Sequence, residues 1–154
     1  MTASTLLDEC LRATLDATAE LAKATLGVEL TTTAAGSYEL PPKLTGCCVA
    51  LVGEAGSLQI GFASNPAGCQ TFAKILFASN DVLPEEDVSD ALGEIANIIA
   101  GGVKKRMVSN QPPLAIGLPI VMEGHIRLTE RQQILDVEVK LGEVPVRLFI
   151  IGNK

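Results

Sequence analysis

The hydrophobic pattern changes its period several times along the chain, and this order of segments constrains the fold more than any other feature. Apolar residues first recur at helical spacing from Thr5 to Leu26, where Gly27 predicts the end of a helix. Residues 28–33 are rich in β-branched side chains and predict a short strand. Two apolar segments, Cys47–Val52 and Gly56–Phe62, follow at strand length. The glycine-containing connection between them predicts an antiparallel hairpin.

The second half of the chain returns to helical spacing and ends in strands. Asn65 is a typical N-cap residue and Pro66 suits a first helical turn, so we expect a helix that ends near Phe77. Its inward-facing residues are predicted to be Phe72, Ile75 and Leu76. A third helix is predicted from Pro84 to about Ser109. Three strands are then expected, over Leu114–Met122, Gln133–Lys140 and Val144–Ile151. Residues 141–143 are predicted to turn a hairpin between the last two.

This order of elements predicts an α+β fold in which helices pack on an antiparallel β-sheet. Residues 1–154 should form a single domain, because no linker or block of charge divides them. Residues 34–42 contain glycine and two prolines and are expected to form a loop. Only 3% of the residues are aromatic, so the core must consist mainly of Ala, Val, Ile and Leu.

Charge and cysteine content exclude several classes of function. A net charge of −6 argues against nucleic acid or an anionic membrane surface as the main partner. No signal peptide or membrane-length apolar segment is evident, so a cytoplasmic location is expected. With one histidine, His125, and no Cys-x-x-Cys pair, a zinc site is not expected. Four cysteines are interpreted as reduced, buried residues: Cys10, Cys47, Cys48 and Cys69.

The third predicted helix carries an unusual polar stripe. At about 100° per residue, one face collects Asp90, Glu94, Asn97, Gly101 and Lys105. Glycines beside this stripe should each destabilise a helix by about 1 kcal/mol relative to alanine. Tight packing within the chain, a helix end at the glycines, or the close approach of a partner would explain them. The opposite face is apolar and predicts the buried side, with Val88, Leu92, Ile95, Ile99 and Val103.

The spacing Asp90-x-x-x-Glu94-x-x-Asn97 resembles the Asp/Ser-x-x-x-Glu-x-x-Asn motif of the CheC, CheX and FliY phosphatases. The residues around this motif and the segment Pro112–Pro119 are similar to those of CheX members, and the resemblance extends over nearly the whole chain. A single motif favours CheX over CheC, whose members carry two. A length of 154 residues also leaves no room for the additional switch-binding domain of FliY-like members.

This resemblance implies a chemotaxis phosphatase that hydrolyses the aspartyl phosphate of a CheY-like response regulator. Asn97 would position the attacking water, Glu94 would pair with the active-site lysine of the regulator, and Asp90 would supply a supporting polar contact. The phosphatase would need no cofactor of its own, because Mg²⁺ belongs to the regulator. The resemblance also implies a homodimer formed through the sheet, for which the strand-rich segment Val137–Ile151 offers edges.

Two other interpretations are open from the residues alone. The chain could be a regulator-binding module without catalytic activity, or a structural dimer that packs through its glycine-rich helix. The lifetime of the acyl phosphate with and without the protein would separate the three. Among other polar residues, Lys104–Arg106 are expected to cap the third helix rather than attract an acidic surface. His125 is expected in a loop.

Overall fold

The computed structural model describes residues 3–33, 43–54, 56–107 and 114–154, with side chains from residue 5 onward. These ranges contain three α-helices: α1 (Ala3–Leu21), α2 (Pro66–Leu76) and α3 (Glu85–Arg106). None of the helices in the described ranges combines the length and apolar character that a membrane span requires. The predicted loop at 34–42 and the predicted helix end at Ser109 lie outside the described residues.

The first helix ends where the sequence predicts, but with a different geometry. A π-helical turn, Ala22–Leu26, continues α1, and Gly27 follows in the left-handed conformation with φ of 67°. The N–H groups of Gly27 and Val28 both donate to the carbonyl of Ala22, so the last turn is wider than an α-helical one. Glycine is the residue that adopts this positive φ without strain.

A single antiparallel sheet accounts for all the strands of the described residues. Its order is β1-β6-β7-β3-β2-β4, and β5 also pairs with β2. The α+β fold predicted from the sequence is therefore confirmed. The strands are β1 (Leu30–Thr32), β2 (Leu44–Gly53), β3 (Gly56–Ser64), β4 (Ala115–Ile116), β5 (Ile120–Gly124), β6 (Gln132–Leu141) and β7 (Val144–Asn153).

Both predicted hairpins are present, whereas one prediction about the strands is wrong and another holds only in part. β2 pairs with β3, and β6 pairs with β7. The single strand predicted over Leu114–Met122 is divided into β4 and β5, because Pro119 has no N–H to donate between them. The segment Val137–Ile151 was predicted to offer sheet edges, but its strand β7 lies between β6 and β3. Its other strand, β6, pairs with the described part of β1 only over Val139–Leu141, so Val137 and Glu138 still lie at an edge of the described sheet.

The second helix begins as predicted but faces inward through a different set of residues. The side chain of Asn65 accepts a hydrogen bond of 2.7 Å from the N–H of Gly68 and caps α2. Phe72 is fully buried and Leu76 packs against the core. Ile75, predicted to face inward, is instead 38% exposed. It lies about 100° around the helix from Leu76, which places it on the outer side.

The main core lies between the helices and one face of the sheet. α3 contacts α1, α2, β2 and β3, so it is the central element of the helical layer. Its predicted apolar face is confirmed, because all five residues are buried: Val88, Leu92, Ile95, Ile99 and Val103. The core is mostly aliphatic, with one edge-to-face aromatic pair, Phe62 and Phe72, whose ring centroids are 5.6 Å apart.

A smaller apolar cluster covers the opposite face of the sheet. It consists of buried Cys48, Ala63 and Phe149, with partly buried side chains around them. The ring of Phe149 lies directly over Gly61, its cross-strand neighbour. A Cβ on Gly61 would lie only 1.9 Å from the Cζ of Phe149, so glycine at this position gives the ring its space.

Replacing Gly61 by alanine should therefore destabilise the fold. We expect the free energy of unfolding to fall by about 1–3 kcal/mol, because the added methyl group overpacks the site. Urea unfolding would measure this loss. In a Phe149→Leu background the ring is absent, so the same Gly61→Ala change should have a much smaller effect. Equal losses in the two backgrounds would contradict the proposed contact.

Candidate functional site

The polar stripe of α3 faces away from the core, as the sequence predicts. Asp90, Glu94, Asn97 and Lys105 are exposed, and Gly101 is partly exposed. Because the opposite face of the helix is buried in the core, these side chains are held on a rigid element rather than on a loop. The structure therefore brings all the predicted site residues onto one accessible surface, the α3 stripe.

Charges at the two ends of α3 stabilise the helix. Three acidic residues, Glu85, Glu86 and Asp87, occupy its first turn, where the helix dipole favours negative charge. At the other end, Arg106 donates a hydrogen bond of 3.0 Å to the carbonyl of Gly102 and forms an ion pair with Glu20 of α1. Arg106 thus contacts a carbonyl near the end of α3 and ties that end to α1, and the capping role of Lys104–Arg106 stays a prediction.

Glu94 and Asn97 are not used by the fold. Neither side chain takes part in a hydrogen bond or an ion pair with the described residues. A separation of three residues places them on neighbouring turns, about 4.5 Å apart along the helix axis. A carboxylate and a carboxamide therefore point into solvent side by side, available to a partner.

The chemistry open to this pair is limited. A carboxylate can accept hydrogen bonds or pair with a cation, and a carboxamide can both donate and accept, so it can orient a water molecule. The carboxamide is neither an effective nucleophile nor a useful base at neutral pH. In the described residues, no cluster of three or more His, Cys, Asp or Glu side chains is placed to bind a metal ion. The α3 stripe is suited to recognition and to positioning.

Internal packing requires glycine at one of the three glycine positions on or beside the α3 stripe. A Cβ on Gly102 would lie 2.8 Å from the Cβ of Ala17, so glycine permits α1 to approach α3 closely. A Cβ on Gly93 would lie 3.5 Å from Pro119, where the connection between β4 and β5 packs against the helix. For Gly101, the described part of the chain offers no atom within 4 Å of such a Cβ, apart from the helix's own nearby backbone.

Sequence reasoning missed a group of exposed apolar residues near the α3 stripe. Leu118 is 86% exposed and Ile120 is 64% exposed, on the segment whose Pro119 touches α3 at Gly93. Ile98, next to Asn97, is also partly exposed. The signal in the sequence was Gly117 and Pro119 on either side of Leu118, since both residue types interrupt strands.

A cavity of about 330 Å³ lies on the other face of the sheet and contains no residue of the α3 stripe. His125 lines it from the exposed segment after β5, so the prediction of a loop histidine is confirmed. Arg147, also in the lining, forms an ion pair with Glu138, and its Nε lies 3.7 Å from the carboxylate of Asp136. These charged groups are thus engaged with one another, far from Glu94 and Asn97 in the fold.

Comparison with known families identifies the group to which the chain belongs. A sequence model described as chemotaxis phosphatase CheX matches residues 45–138, which include the whole of α3. The chain belongs to the CheX family. The predicted relation to CheC, CheX and FliY proteins is therefore confirmed, with CheX as the nearest of the three. No curated protein matches the sequence.

Solved CheX structures share the fold of this chain. A CheX from Vibrio vulnificus has a TM-score of 0.74 at 14% identity, with 93% of this chain and 96% of the other covered. A CheX from Desulfovibrio desulfuricans has a TM-score of 0.75 at 14% identity, with 95% and 99% covered. A CheX-CheY-BeF3-Mg²⁺ complex from Borrelia burgdorferi has a TM-score of 0.65 at 17% identity, with 92% and 96% covered.

The cysteines should be unreactive in the folded protein. All four are free and buried, and burial raises the pKa of the Cys10 thiol to about 12 and those of Cys47, Cys48 and Cys69 to about 11. An unfolded thiol has a pKa near 8.5, so at pH 8 the native thiolate fraction is more than about 100-fold smaller. We expect slow labelling of native protein by a disulfide reagent, and labelling of four thiols in urea.

The same pKa shifts predict how the free energy of unfolding changes with pH. Above a pH of about 8.5 the unfolded thiols lose their protons while the folded thiols keep theirs, so the free energy of unfolding falls as the pH rises towards 11. A native thiol that reacted as fast as in the denatured chain would contradict the described burial.

Proposed function

We propose that this protein hydrolyses the aspartyl phosphate of a CheY-like response regulator in the cytoplasm. The observation that carries the proposal is the pair Glu94 and Asn97, held side by side on the exposed face of α3 with no partner among the described residues. Membership in the CheX family supports the reaction class. The residue pair supports the assignment of roles.

Asn97 is proposed to position the attacking water. The regulator carries an acyl phosphate on an aspartate, and hydrolysis forms a bond between the water oxygen and phosphorus while the bond to the aspartate oxygen breaks. The products are the free aspartate and inorganic phosphate, so no covalent intermediate on the phosphatase is needed. The carboxamide of Asn97 can fix the water in line with the leaving oxygen, which is catalysis by positioning.

Glu94 is proposed to set the alignment of the two proteins. Its carboxylate can form an ion pair with a lysine beside the regulator's phosphoaspartate, and such a pair at a desolvated interface favours one orientation. Asp90 lies one turn before Glu94 on the α3 stripe and is proposed to add a polar contact. The Borrelia burgdorferi structure, in which CheX, CheY, BeF3 and Mg²⁺ occur together, supports a CheY-like partner. The phosphatase itself is proposed to need no cofactor, with Mg²⁺ held by the regulator.

Replacing Asn97 by alanine should abolish hydrolysis while leaving association intact. The variant loses the group that orients water, so we expect turnover to fall by roughly 100-fold or more. Folding should be preserved, because Asn97 makes no side-chain hydrogen bond with the described residues and alanine favours the helix. The measurement is a time course of acyl-phosphate loss at saturating and subsaturating phosphatase. A folded variant with wild-type turnover would overturn the mechanism.

Changes at Glu94 should produce a different defect from those at Asn97. Glu94→Ala should weaken both association and turnover, and Glu94→Lys should do so more strongly, because it replaces an attraction by a repulsion. Glu86→Ala removes the same charge from an exposed position at the start of α3 and provides the control. If the Glu86 and Glu94 variants had equal effects, net charge rather than a specific pair would explain the loss.

We also propose a homodimer. Because β7 lies inside the sheet, we now expect the interface at a different edge from the one predicted from the sequence. The free edge nearest the α3 stripe is formed by β4 and β5, with exposed Ile116, Leu118 and Ile120. Light scattering should give twice the chain mass, and Ile120→Lys should shift the protein towards the monomer. Val82→Lys, at an apolar position that is 76% exposed elsewhere, is the matched control. A monomeric wild-type protein at tens of micromolar would rule out this dimer.

A further inference from the structure

Gly101 differs from the other two glycines of α3 in the space around it. Gly93 and Gly102 face Pro119 and Ala17, whereas the space beyond Gly101 is open within the described part of the chain. An alanine would fit there without a clash, and it would favour the helix. Nothing in the described packing therefore explains why this position of a central helix lacks a side chain.

Gly101 also lies on the α3 stripe, in line with the proposed functional pair. At about 100° per residue it is within about 20° of Glu94 around the helix and about 40° of Asn97. Along the axis it follows Asn97 by four residues, or about 6 Å. The bare backbone is thus next to the side chain that is proposed to act on the phosphoryl group.

We infer that Gly101 is the point at which the phosphorylated regulator comes closest to α3, and that its missing side chain lets Asn97 reach the phosphoryl group. This inference rests on the proposed function. The physical reason is the length of the side chains. Asparagine is one methylene shorter than glutamate, so a regulator must lie close to the helix backbone before the carboxamide can orient a water at phosphorus. A side chain one turn away would hold the regulator back.

The inference predicts that the helix becomes more stable and the enzyme less active. Gly101→Ala should raise the melting temperature by about 2–4 °C, because alanine is the better helix former. The same methyl group should lower kcat/KM for the phosphorylated regulator by about tenfold to 100-fold, since displacement by 1 Å is sufficient for a loss of that order. Gly101→Leu should lower it further. A purely structural glycine would instead lower the melting temperature on substitution.

The experiment compares wild type, Gly101→Ala and Gly101→Leu, with Gly93→Ala as the control. Gly93→Ala adds the same methyl group to the same helix, but on the buried side in ordinary contact with Pro119. We expect it to keep wild-type kcat/KM. Three quantities are measured for each protein: melting temperature, steady-state kcat and KM with phosphorylated regulator, and affinity for the regulator loaded with beryllofluoride, a stable phosphoryl mimic. The inferred result is an increase in KM and in dissociation constant with side-chain size.

Two outcomes would overturn the inference, and they can be told apart from failure of the proposed function. The inference is overturned if the Gly101→Ala and Gly101→Leu variants are folded and retain wild-type KM and affinity. In that case an active wild-type protein still supports the proposed phosphatase function. If the wild-type protein leaves the acyl-phosphate lifetime unchanged, the proposed function fails. The affinity for the beryllofluoride-loaded regulator then tests the inference about Gly101 separately. Weaker binding of the Gly101 variants would then support a docking contact at this position, and equal binding would overturn it as well.

Discussion

The packing of the apolar face of α3 against the sheet is the interaction on which the rest of the structure depends. Leu92, Ile95 and Ile99 are almost completely removed from solvent, and the helix is also in contact with α1 and α2. Because this face is fixed, the rotation of the helix about its axis is fixed too. The direction of Glu94 and Asn97 therefore follows from hydrophobic burial on the other side of the same helix, without any side-chain hydrogen bond to the described part of the chain.

The motif helix was predictable because its signals are local. Periodicity alone indicated which face of α3 is buried, and the Asn65 cap and both hairpin turns were equally visible in short stretches of sequence. Exposure of Glu94 and Asn97 followed from the same helical geometry. Their roles came only from the family resemblance, because an acid and an amide three residues apart are common on helix surfaces.

Features that depend on long-range pairing were not predictable in this way. The position of β7 inside the sheet depends on its pairing with β3, more than 80 residues earlier, and no local pattern in Val144–Asn153 reports it. Likewise, the outward direction of Ile75 depends on which side of α2 meets the core. Gly117 and Pro119 did signal the division between β4 and β5. The apolar residues around them have the length of one strand, however, and this pattern favoured a single strand.

The separation of the α3 stripe from the core has an evolutionary consequence. Side chains that share no contacts contribute to stability nearly independently, so substitutions at Asp90, Glu94 or Lys105 leave the packing of Leu92 and Ile95 unchanged. Gene duplication followed by changes on this one helix face would therefore alter the surface that is offered to a partner while the scaffold is inherited intact. Paralogues that diverged in this way would share the same backbone fold but differ in the exposed residues of the α3 stripe.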